Sequence, residues 1–408
     1  MDSYKLGRKS FLFKIATVGA VGLMPSLLKA SPKETVQNLK NQAGIRFLTP
    51  PYLQHITGDS AVIRWITDQP ASSWIQYGEN TPELKVLPVA DLGLIAANKR
   101  VHEVTITGLK PGTRYTYHVC SRQIVDFQPY KMTWGETISS EVFHFASAKP
   151  EAAEASWLVF NDIHDRPASF AHLFKLNGKD PFDFVFLNGD MFDYQTDEKQ
   201  IIDNLLTPIT SLFASEKPFF YARGNHETRG KYAREFPDYF SNPGNQYYFS
   251  FTQGPVHIIV LDTGEDKEDE HVEYSQLVAF DQYREQQAQW LEQELQKHAF
   301  LNAPFRVVMM HIPVFHSGEG HGARHCRELF NPMFNNAGID LMICGHTHRY
   351  GVHAADSSTH NYPLIIGGGP LEEKRTLIKV RADRKQLSLQ MIKDDGNEVG
   401  RLNVESKR

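Results

Sequence analysis

Cysteine is scarce in this sequence of 408 residues. Only Cys120, Cys326 and Cys344 are present, and no two of them have the spacing CxxC. Because the number of thiols is odd, at least one of them has no partner within the chain. This scarcity excludes a fold that depends on disulfide bonds. We expect three buried small side chains in a protein held together mainly by its hydrophobic core.

Long apolar runs are also absent. The run "IATVGAVGLM" near the N-terminus has only about ten residues, whereas a helix needs ~20 to span a bilayer. No later run is long enough, so we expect no integral membrane segment in the mature chain. Basic residues precede the run and small residues follow it, which is typical of an export signal. We predict an export signal in residues 1–30 and a polar linker in residues 31–44, with a short membrane anchor as the alternative.

The export route is indicated by the stretch "GRKSFLFK". It resembles a twin-arginine signal in which Lys9 takes the place of the second arginine. We therefore predict an exported protein, periplasmic or secreted, which could use a twin-arginine-like route.

A large excess of basic residues is absent as well. The net charge of −5 would become −9 once residues 1–30, with their net charge of +4, are removed. Binding to nucleic acids depends on clustered Lys and Arg, so we expect no specific nucleic-acid partner. The shares of hydrophobic residues (41%) and charged residues (22%) are those of a globular protein. The length is sufficient for two or more domains.

Residues 45–148 have the pattern of β-strands. Apolar and polar residues alternate in "SAVIRWIT", "VHEVTITGL" and "RYTYHVC", and turn sequences such as "LKPGT" separate the runs. This spacing predicts an all-β sandwich. The segments "TPPYLQ", "IRWIT" and "GLKPGTRYTYHV" resemble the fibronectin type III-like N-terminal domain of purple acid phosphatases. We expect this domain to be a structural module without chemistry of its own.

Residues 150–400 alternate between short apolar runs and amphipathic stretches. "DEKQIIDNLLTPITSLF" and "FDQYREQQAQWLEQELQ" have helical spacing, whereas "WLVF", "FDFVFL", "PFFYA", "FRVVMM" and "IDLMIC" are typical of buried strands. This alternation predicts an α/β domain. Polar residues that can bind metal follow each of the five strands. Because ligands bind beyond the carboxyl ends of the strands in such sheets, we expect these residues to meet at one edge.

The polar residues at the five strand ends are carboxylates, an amide and imidazoles. A set without thiolates suits Mn, Fe, Zn or similar ions, and it contains too many ligands for one ion. We therefore predict two ions that share a bridging carboxylate, since two ions stabilise both the attacking and the leaving oxygen in a displacement at phosphorus. The residues of this set are Asp162, His164, Asp190, Asn225, His226, His311, His346 and His348.

The motifs "DIH", "GD", "GNHE", "H" and "GHTH" occur in this order between Trp157 and Val399. They resemble the motifs of the calcineurin-like metallophosphoesterase superfamily. The resemblance implies a multidomain protein, in which an all-β sandwich precedes an α/β metallophosphoesterase domain with helices flanking its β-sheets. It also implies that His226 is the catalytic histidine near the leaving group. The implied ligands of the first ion are Asp162, His164, Asp190 and His348, and those of the second are Asp190, Asn225, His311 and His346.

Two positions depart from the pattern of the purple acid phosphatases. One is His164 in the first motif, which those enzymes characteristically lack, and the other follows the bridging aspartate. Those enzymes have a tyrosine three residues after the bridging aspartate, whereas here Asp193 takes this position and Tyr194 follows. We therefore expect a centre without purple colour. In protein serine/threonine phosphatases the equivalent aspartate pairs with the catalytic histidine, so we predict that Asp193 orients His226. Three further residues are candidates for contact with substrate: Arg223, His321 and His325.

The function predicted from this resemblance is hydrolysis of a phosphate ester, most simply a small phosphomonoester as in an acid phosphatase. Two divalent or trivalent ions (Fe, Mn or Zn) would activate a water that attacks phosphorus without a covalent phosphoenzyme. A phosphodiesterase or nucleotidase would use the same site. A non-catalytic exported binding protein is a third interpretation, but such a relic would have lost some of the ligands, and here the set is complete. The sequence leaves the oligomeric state open.

Overall fold

The computed structural model describes residues 44–79, 85–88 and 90–408. The predicted export signal and all but the last residue of the predicted linker lie outside the described residues. Residues 45–408 form one compact unit. No helix in the described part of the chain combines the length and the apolar character that a membrane crossing requires.

The N-terminal part of this unit consists of β-strands. Its strands are β1 (Tyr52–Ile56), β2 (Ser60–Gly78), β3 (Lys85–Pro88), β4 (Ala90–Asp91), β5 (Leu94–Ile95), β6 (Lys99–Thr107), β7 (Arg114–Gln128), β8 (Lys131–Ser139) and β9 (Phe143–Ala146). The long strand β2 pairs antiparallel with β1, β3, β6 and β7, and β7 also pairs with β8 and β9. Strands β4 and β5 form a two-stranded sheet.

The C-terminal part contains strands of two sheets. The first sheet has β10 (Glu154–Phe160), β11 (Phe184–Asn188), β12 (Phe219–Ala222), β19 (Thr376–Asp383), β20 (Gln386–Lys393) and β21 (Glu398–Glu405). The second has β13 (Phe249–Gln253), β14 (Val256–Leu261), β15 (Phe305–Met310), β16 (Leu341–Cys344), β17 (Gly351–His353) and β18 (Leu364–Ile366). The strands β10, β11 and β12 are parallel, as are β14, β15, β16 and β18.

A shared apolar core joins the faces of the two sheets. Phe186 and Phe220 from the first sheet lie in the same buried cluster as Val260 and Met309 from the second. Strands buried on both faces explain why these runs in the sequence are continuously apolar rather than alternating.

The N-terminal strands continue the first sheet of the C-terminal part. Strand β1 pairs in parallel with β12, with Gln54 opposite Phe219, so the sheet runs in the order β21-β20-β19-β10-β11-β12-β1-β2-β7-β8. The alternation in "SAVIRWIT" predicts one solvent-facing side for β2, but both faces are buried. Trp65 belongs to the core of the N-terminal strands, whereas Ile66 packs into the core of the α/β part. Residues 45–148 and 150–400 are therefore joined by both sheet and core.

The helices flank the sheets. They are α1 (Ala168–Leu176), α2 (Glu198–Ile201), α3 (Thr207–Ile209), α4 (Phe280–Glu294), α5 (His298–Leu301) and α6 (His321–Ala337). Short 3₁₀ turns occupy His226–Thr228, Phe236–Tyr239, Pro243–Asn245 and Val272–Tyr274.

One predicted helix is irregular. The stretch "DEKQIIDNLLTPITSLF" contains two π-helical segments, Ile202–Leu206 and Thr210–Ala214, on either side of α3. Pro208 lies between them and has no N–H for the regular hydrogen-bond ladder. The prediction of three buried cysteines is confirmed, since Cys120, Cys326 and Cys344 are all free and buried.

Candidate metal centre

The seven predicted metal ligands come together at the carboxyl ends of five parallel strands. They follow β10, β11, β12, β15 and β16, and they meet as two groups. In one group, Asp162, His164 and His348 offer ligand atoms within 4.8 Å of one another. The ligands of the other group are Asp190, His311 and His346, with Asn225 Oδ1 at 3.0 Å from Nδ1 of His346.

The two groups are adjacent. Nε2 of His164 lies 3.8 Å from Oδ1 of Asp162 and 3.7 Å from Oδ2 of Asp190. Oδ2 of Asp190 is in turn 2.9 Å from Nε2 of His311. The Asp190 carboxylate therefore faces ligands of both groups, which is the position that the predicted bridge requires.

The backbone at the site is strained. Five of the seven predicted ligands have a left-handed conformation: Asp162 (φ 51°), His164 (φ 50°), Asp190 (φ 54°), His346 (φ 73°) and His348 (φ 56°). Each residue of this kind costs of order 1–3 kcal/mol, and such residues concentrate at functional sites. The strain is typical of loops that are shaped to direct side chains at a common point.

Two glycines allow the loops to approach one another. A Cβ on Gly224 would lie 2.3 Å from Oδ1 of Asp190, and one on Gly345 would lie 2.4 Å from Oδ2 of Asp162. Any side chain at either position would displace a carboxylate. The glycines of the "GNHE" and "GHTH" motifs are thus explained by close contact with the ligands of other strands.

Charges at the site are strongly coupled. Burial would raise the pKa of Asp162 and Asp190, but the histidines beside them lower the pKa of both carboxyls well below the usual range. Burial lowers the pKa of His311, yet the two carboxylates outweigh it and raise the pKa to about 10. Burial and the neighbouring His311 lower the pKa of His346 to about 4. The two carboxylates thus favour positive charge beside them, which a proton on His311 supplies and a metal ion would supply in its place.

The hydrogen bonds of the histidines leave their other ring nitrogens directed inward. Nδ1 of His311 donates to the backbone carbonyl of Asn188 at 2.8 Å, and Nδ1 of His164 donates to Oδ1 of Asp193 at 2.9 Å. Metal-binding histidines commonly donate their other N–H in this way. Nε2 of His311 is buried and has no aligned hydrogen bond, although Oδ2 of Asp190 is close. These residues therefore fit divalent ions.

Models of two known families match the two parts of the chain. Residues 156–350 match the model of the calcineurin-like phosphoesterases, and residues 51–147 match that of the purple acid phosphatase N-terminal domain. The chain thus contains a calcineurin-like phosphoesterase domain preceded by a purple acid phosphatase N-terminal domain. It is a metal-dependent hydrolase of phosphate esters with a dinuclear metal centre. The interpretation as a non-catalytic binding protein is therefore set aside.

Individual relatives agree with this assignment. "Probable purple acid phosphatase 20" of Arabidopsis thaliana is 24% identical over 344 residues, which cover 78% of this chain and 72% of the relative. "Acid phosphatase type 7" of Danio rerio is 25% identical over 340 residues, with 74% and 71% covered. The purple acid phosphatase PPD1 from yellow lupin seeds superposes with a TM-score of 0.66 at 16% identity, over 88% of this chain and 74% of that structure. The predicted fold, a β-rich N-terminal part followed by an α/β metallophosphoesterase domain, is confirmed.

The structure corrects the partner predicted for Asp193. In this phosphoesterase, the Asp193 carboxylate bonds to His164 rather than to His226. Nδ1 of His226 instead donates to the backbone carbonyl of Asp193 at 2.7 Å. The backbone N–H of Asp193 donates to Asp165 at 2.9 Å, and the turn fixed in this way directs the carbonyl and the carboxylate to different histidines.

The candidate substrate residue Arg223 is engaged elsewhere. Its Nη2 and Nε lie 2.7 and 2.9 Å from Oδ2 of the buried Asp262. Its guanidinium also lies over the ring of Tyr247, 4.8 Å from the centroid. Arg223 is therefore held in a structural ion pair with Asp262.

The two candidate substrate histidines form a separate cluster around Asp281. Nε2 of His321 lies 2.8 Å from Oδ1 of Asp281, and Nδ1 of His325 lies 3.0 Å from the same oxygen. Nη1 of Arg284 donates to it as well, at 2.7 Å. These contacts join the first turns of α4 and α6, and they account for both histidines without substrate.

Glu227, the residue directly after His226, has a structural role at the site. It is fully buried and accepts hydrogen bonds from the backbone N–H groups of Asp190 (2.9 Å), Met191 (2.7 Å) and Gly224 (2.8 Å) and from Tyr221 (2.8 Å). Burial and the Asp190 charge raise the pKa of Glu227. The Glu227 side chain thus fixes the loops after β11 and β12 against each other.

Arg229 is a residue of the site that the sequence analysis missed. Its Nη1 lies 3.1 Å from Nε2 of His226, and its Nη2 lies 2.8 Å from the buried Glu265. The one available clue was its position in "GNHETRG", three residues after His226. Nothing in the sequence indicated that Glu265, from the charged stretch 264–274, would hold it there.

Proposed function

We propose that this phosphoesterase hydrolyses phosphomonoesters, with small phosphorylated molecules as substrates. The observation that carries the proposal is the pair of ligand groups that face a common carboxylate, with His226 at their edge. Nε2 of His226 lies 4.0 Å from Oδ2 of Asp190. The names of the relatives, purple acid phosphatase and acid phosphatase, support the choice of monoesters.

We assign each ligand to one ion or to both according to the group in which it lies. Two ions bound there, of Fe, Mn or Zn, would acidify a water and neutralise charge on the phosphate. We assign Asp190 to both ions because its carboxylate faces both groups. We assign Asp162, His164 and His348 to the first ion, and Asn225, His311 and His346 to the second.

We assign His226 the transfer of a proton to the departing alkoxide. Its Nδ1–H is occupied by the Asp193 carbonyl, so Nε2 is the nitrogen that is directed to the ligand groups. A quarter of the His226 side chain is exposed to solvent (25%), which leaves room for an ester beside it. Proton transfer of this kind contributes about 10²–10⁴ in rate.

We also propose that the mature chain is exported and begins near Ser31. The basic and apolar pattern of residues 1–30 supports this. Mass spectrometry of the native protein would test it, and a cytoplasmic form with an intact Met1 would contradict it.

An activity screen tests the catalytic proposal. The mature chain, loaded separately with Mn, Zn or Fe, would be assayed on alkyl and aryl monoesters, on diesters and on nucleotides. We expect the highest kcat/KM on a monoester, and no activity in the matched variant Asp190→Asn. A higher kcat/KM on diesters or nucleotides would favour the phosphodiesterase or nucleotidase alternative, and inactivity with every metal would contradict the proposal.

A further inference from the structure

The guanidinium of Arg229 is held so that one nitrogen faces His226. Nε lies 3.0 Å from Oε1 of Glu265, and Nη2 lies 2.8 Å from Oε2 of the same carboxylate. This bidentate arrangement is the strong form of the arginine–carboxylate pair. The third nitrogen, Nη1, is 3.1 Å from Nε2 of His226. Arg229 therefore presents a fixed donor at the edge of the metal centre.

The support behind Arg229 is rigid. Glu265 is almost completely buried (1% exposed), and it also accepts hydrogen bonds from Thr228 at 2.7 Å and from Tyr274 at 3.0 Å. A Cβ on Gly322, in the first turn of α6, would lie 2.3 Å from the Glu265 carbonyl. Since these contacts fix Glu265 from several sides, the position of Arg229 is set before any substrate arrives, which reduces the entropy lost on binding.

Arg229 belongs to a network of two cations and three carboxylates. Glu265 pairs with Arg229, while the adjacent Asp266 lies 3.4 Å from Arg229 and 3.5 Å from Nζ of Lys267. Lys267 also pairs with Glu273 at 2.8 Å. About 30% of the Arg229 side chain is exposed, so the side chain is partly open to solvent.

His226 accepts a hydrogen bond from Arg229 only because its other nitrogen is engaged. Nδ1 of His226 donates to the Asp193 carbonyl, which leaves a lone pair on Nε2 for the Nη1–H of Arg229. An incoming phosphate oxygen is a stronger acceptor for Nη1 than this imidazole nitrogen, since the oxygen carries negative charge. A phosphate beside His226 would therefore take over the hydrogen bond from Arg229, which frees Nε2 of His226 to carry the proton that it passes to the leaving group.

The chemistry of the substrate gives this donor a selective role. A phosphomonoester has three non-bridging oxygens and up to two negative charges, whereas a phosphodiester has two such oxygens and one charge. Where a monoester presents its third oxygen, a diester has an alkoxy or aryloxy group. Such a group would desolvate the guanidinium without offering it a charged acceptor, which is unfavourable.

We propose that Arg229 selects phosphomonoesters over phosphodiesters by donating, through Nη1, to the non-bridging oxygen that only a monoester has. This inference rests on the proposed function, in which the ester binds with its leaving group beside His226. Glu265 is the positioning residue for Arg229.

The test compares a monoester and a diester that have the same leaving group. The metal-loaded mature chain and its variants Arg229→Gln and Arg229→Lys would be assayed with p-nitrophenyl phosphate and with bis(p-nitrophenyl) phosphate. We expect Arg229→Gln to lower kcat/KM for the monoester about 10- to 100-fold, the loss typical of a hydrogen bond between charged groups. The diester should change much less, so that the monoester-to-diester ratio falls at least about tenfold. Arg229→Lys should recover part of the ratio, because it keeps the charge but not the bidentate pairing.

A matched control and a binding measurement complete the test. Arg327 pairs with the exposed Glu319 at 2.6 Å on the surface, and Arg327→Gln should leave both kcat/KM values unchanged. The inhibition constant of inorganic phosphate should rise in Arg229→Gln, whereas that of dimethyl phosphate should stay the same. The metal content of Arg229→Gln should equal that of the unmodified chain.

The possible outcomes separate the two proposals. Equal losses on both esters, or an unchanged monoester rate in Arg229→Gln, would overturn the selective role of Arg229 and leave the proposed function intact. Inactivity of the unmodified metal-loaded chain on both esters would overturn the proposed function itself. A loss of metal in Arg229→Gln would mean that Arg229 supports the centre rather than the substrate, and would also overturn the inference.

Discussion

Oδ1 of Asp193 lies 2.9 Å from Nδ1 of His164. Because a carboxylate accepts, Nδ1 carries the proton and Nε2 of His164 keeps its lone pair. That lone pair faces Asp162 and Asp190, at 3.8 and 3.7 Å from their nearest oxygens. Asp193 thus sets the tautomer of a predicted metal ligand, whereas the orientation of His226 is set by a backbone carbonyl that no substitution of a side chain removes.

This relationship gives a first prediction for Asp193→Asn. Loss of a carboxylate partner from a ligating histidine typically weakens metal binding by about one to two orders of magnitude. We expect weaker binding of the first ion and an unchanged dependence of rate on the leaving group. Metal titration followed by elemental analysis measures the first effect. Asp203→Asn is a suitable control, since Asp203 pairs with Lys199 on the surface. Normal affinity for both ions in Asp193→Asn would contradict the prediction.

The bridge itself is tested by Asp190→Asn. The Asp190 carboxylate faces both groups of ligands, so we expect the substitution to weaken both ions together. His348→Ala should weaken mainly the first ion, because His348 contacts Asp162 at 3.2 Å and belongs to that group alone. Metal content after dialysis distinguishes the two patterns. Two fully occupied sites in Asp190→Asn would show that the bridge is assigned wrongly.

The acid role of His226 is tested by the leaving group. His226→Ala should keep both ions, yet hydrolyse alkyl phosphates about 10²–10⁴ times more slowly. Nitrophenyl phosphate should lose less, because its leaving group needs less protonation. Rates on the two substrates, measured on protein of known metal content, give the comparison. Equal losses would argue against proton transfer, and loss of metal would argue that His226 is a ligand.

Asp193 occupies the position at which a tyrosine would colour an iron centre, and visible absorption tests the resulting prediction. Tyrosine is absent from the position three residues after Asp190, and the neighbouring Tyr194 is more than half exposed (56%). We therefore expect the iron-loaded protein to lack the tyrosinate-to-iron band that makes related enzymes purple. A purple protein after iron loading, with absorption that disappears in Tyr194→Phe, would show that Tyr194 reaches the metal.

Acid stability should depend on Glu294. Burial would raise the pKa of Glu294, but hydrogen bonds and charge from His257, Lys297 and Ser250 outweigh it and lower the pKa to about 2. A folded-state pKa below the ordinary 4.5 means that the ionised form stabilises the fold above pH 4.5. This stabilisation, on the order of 3 kcal/mol at most, is lost as the pH falls from there toward 2.

Thermal unfolding between pH 7 and pH 3 measures this contribution. Relative to Glu294→Gln, the unmodified chain should have the higher Tm at pH 7, and the difference should shrink toward pH 3. Glu292→Gln serves as a control, because Glu292 is exposed on the same helix and its loss should not make the difference in Tm depend on pH. A difference in Tm between the unmodified chain and Glu294→Gln that is the same at both pH values would contradict the prediction.

The sequence allowed the ligand set to be predicted because each ligand directly follows a strand. The carboxyl ends of neighbouring parallel strands lie at one edge of a sheet, so Asp162 and Asp190 could be placed together without knowledge of the loops. His311 follows a strand of the second sheet, and its contact with Asp190 depends on how the two sheets pack. The partners of these ligands could not be predicted in the same way. Whether Asp193 reaches His164 or His226 depends on how two loops from different strands turn, and a difference of a few ångströms decides it.

Contacts between segments that are distant in the sequence could not be predicted either. The pairing of Arg229 with Glu265 and of His321 with Asp281 depends on how α6 and stretch 264–274 pack, which no local pattern encodes. The junction of β1 with β12 is similar, because the two strands are far apart in the chain and each looks complete by itself. Local periodicity therefore indicated the elements, while their long-range partners required the structure.

The continuous sheet also has a consequence for the order in which the chain can fold. The hydroxyl of Tyr52, in β1, donates to the carbonyl of Tyr239 at 2.8 Å, across 187 residues of sequence. A ribosome adding about 5–20 residues per second needs on the order of 10–40 s to supply that partner. During this interval the edge of β1 that later meets β12 is unpaired and apolar, the state in which strands associate with other chains. Folding of the N-terminal strands is thus completed only after synthesis has passed β12, and a chaperone that covers β1 until then would be expected to raise the yield of native protein.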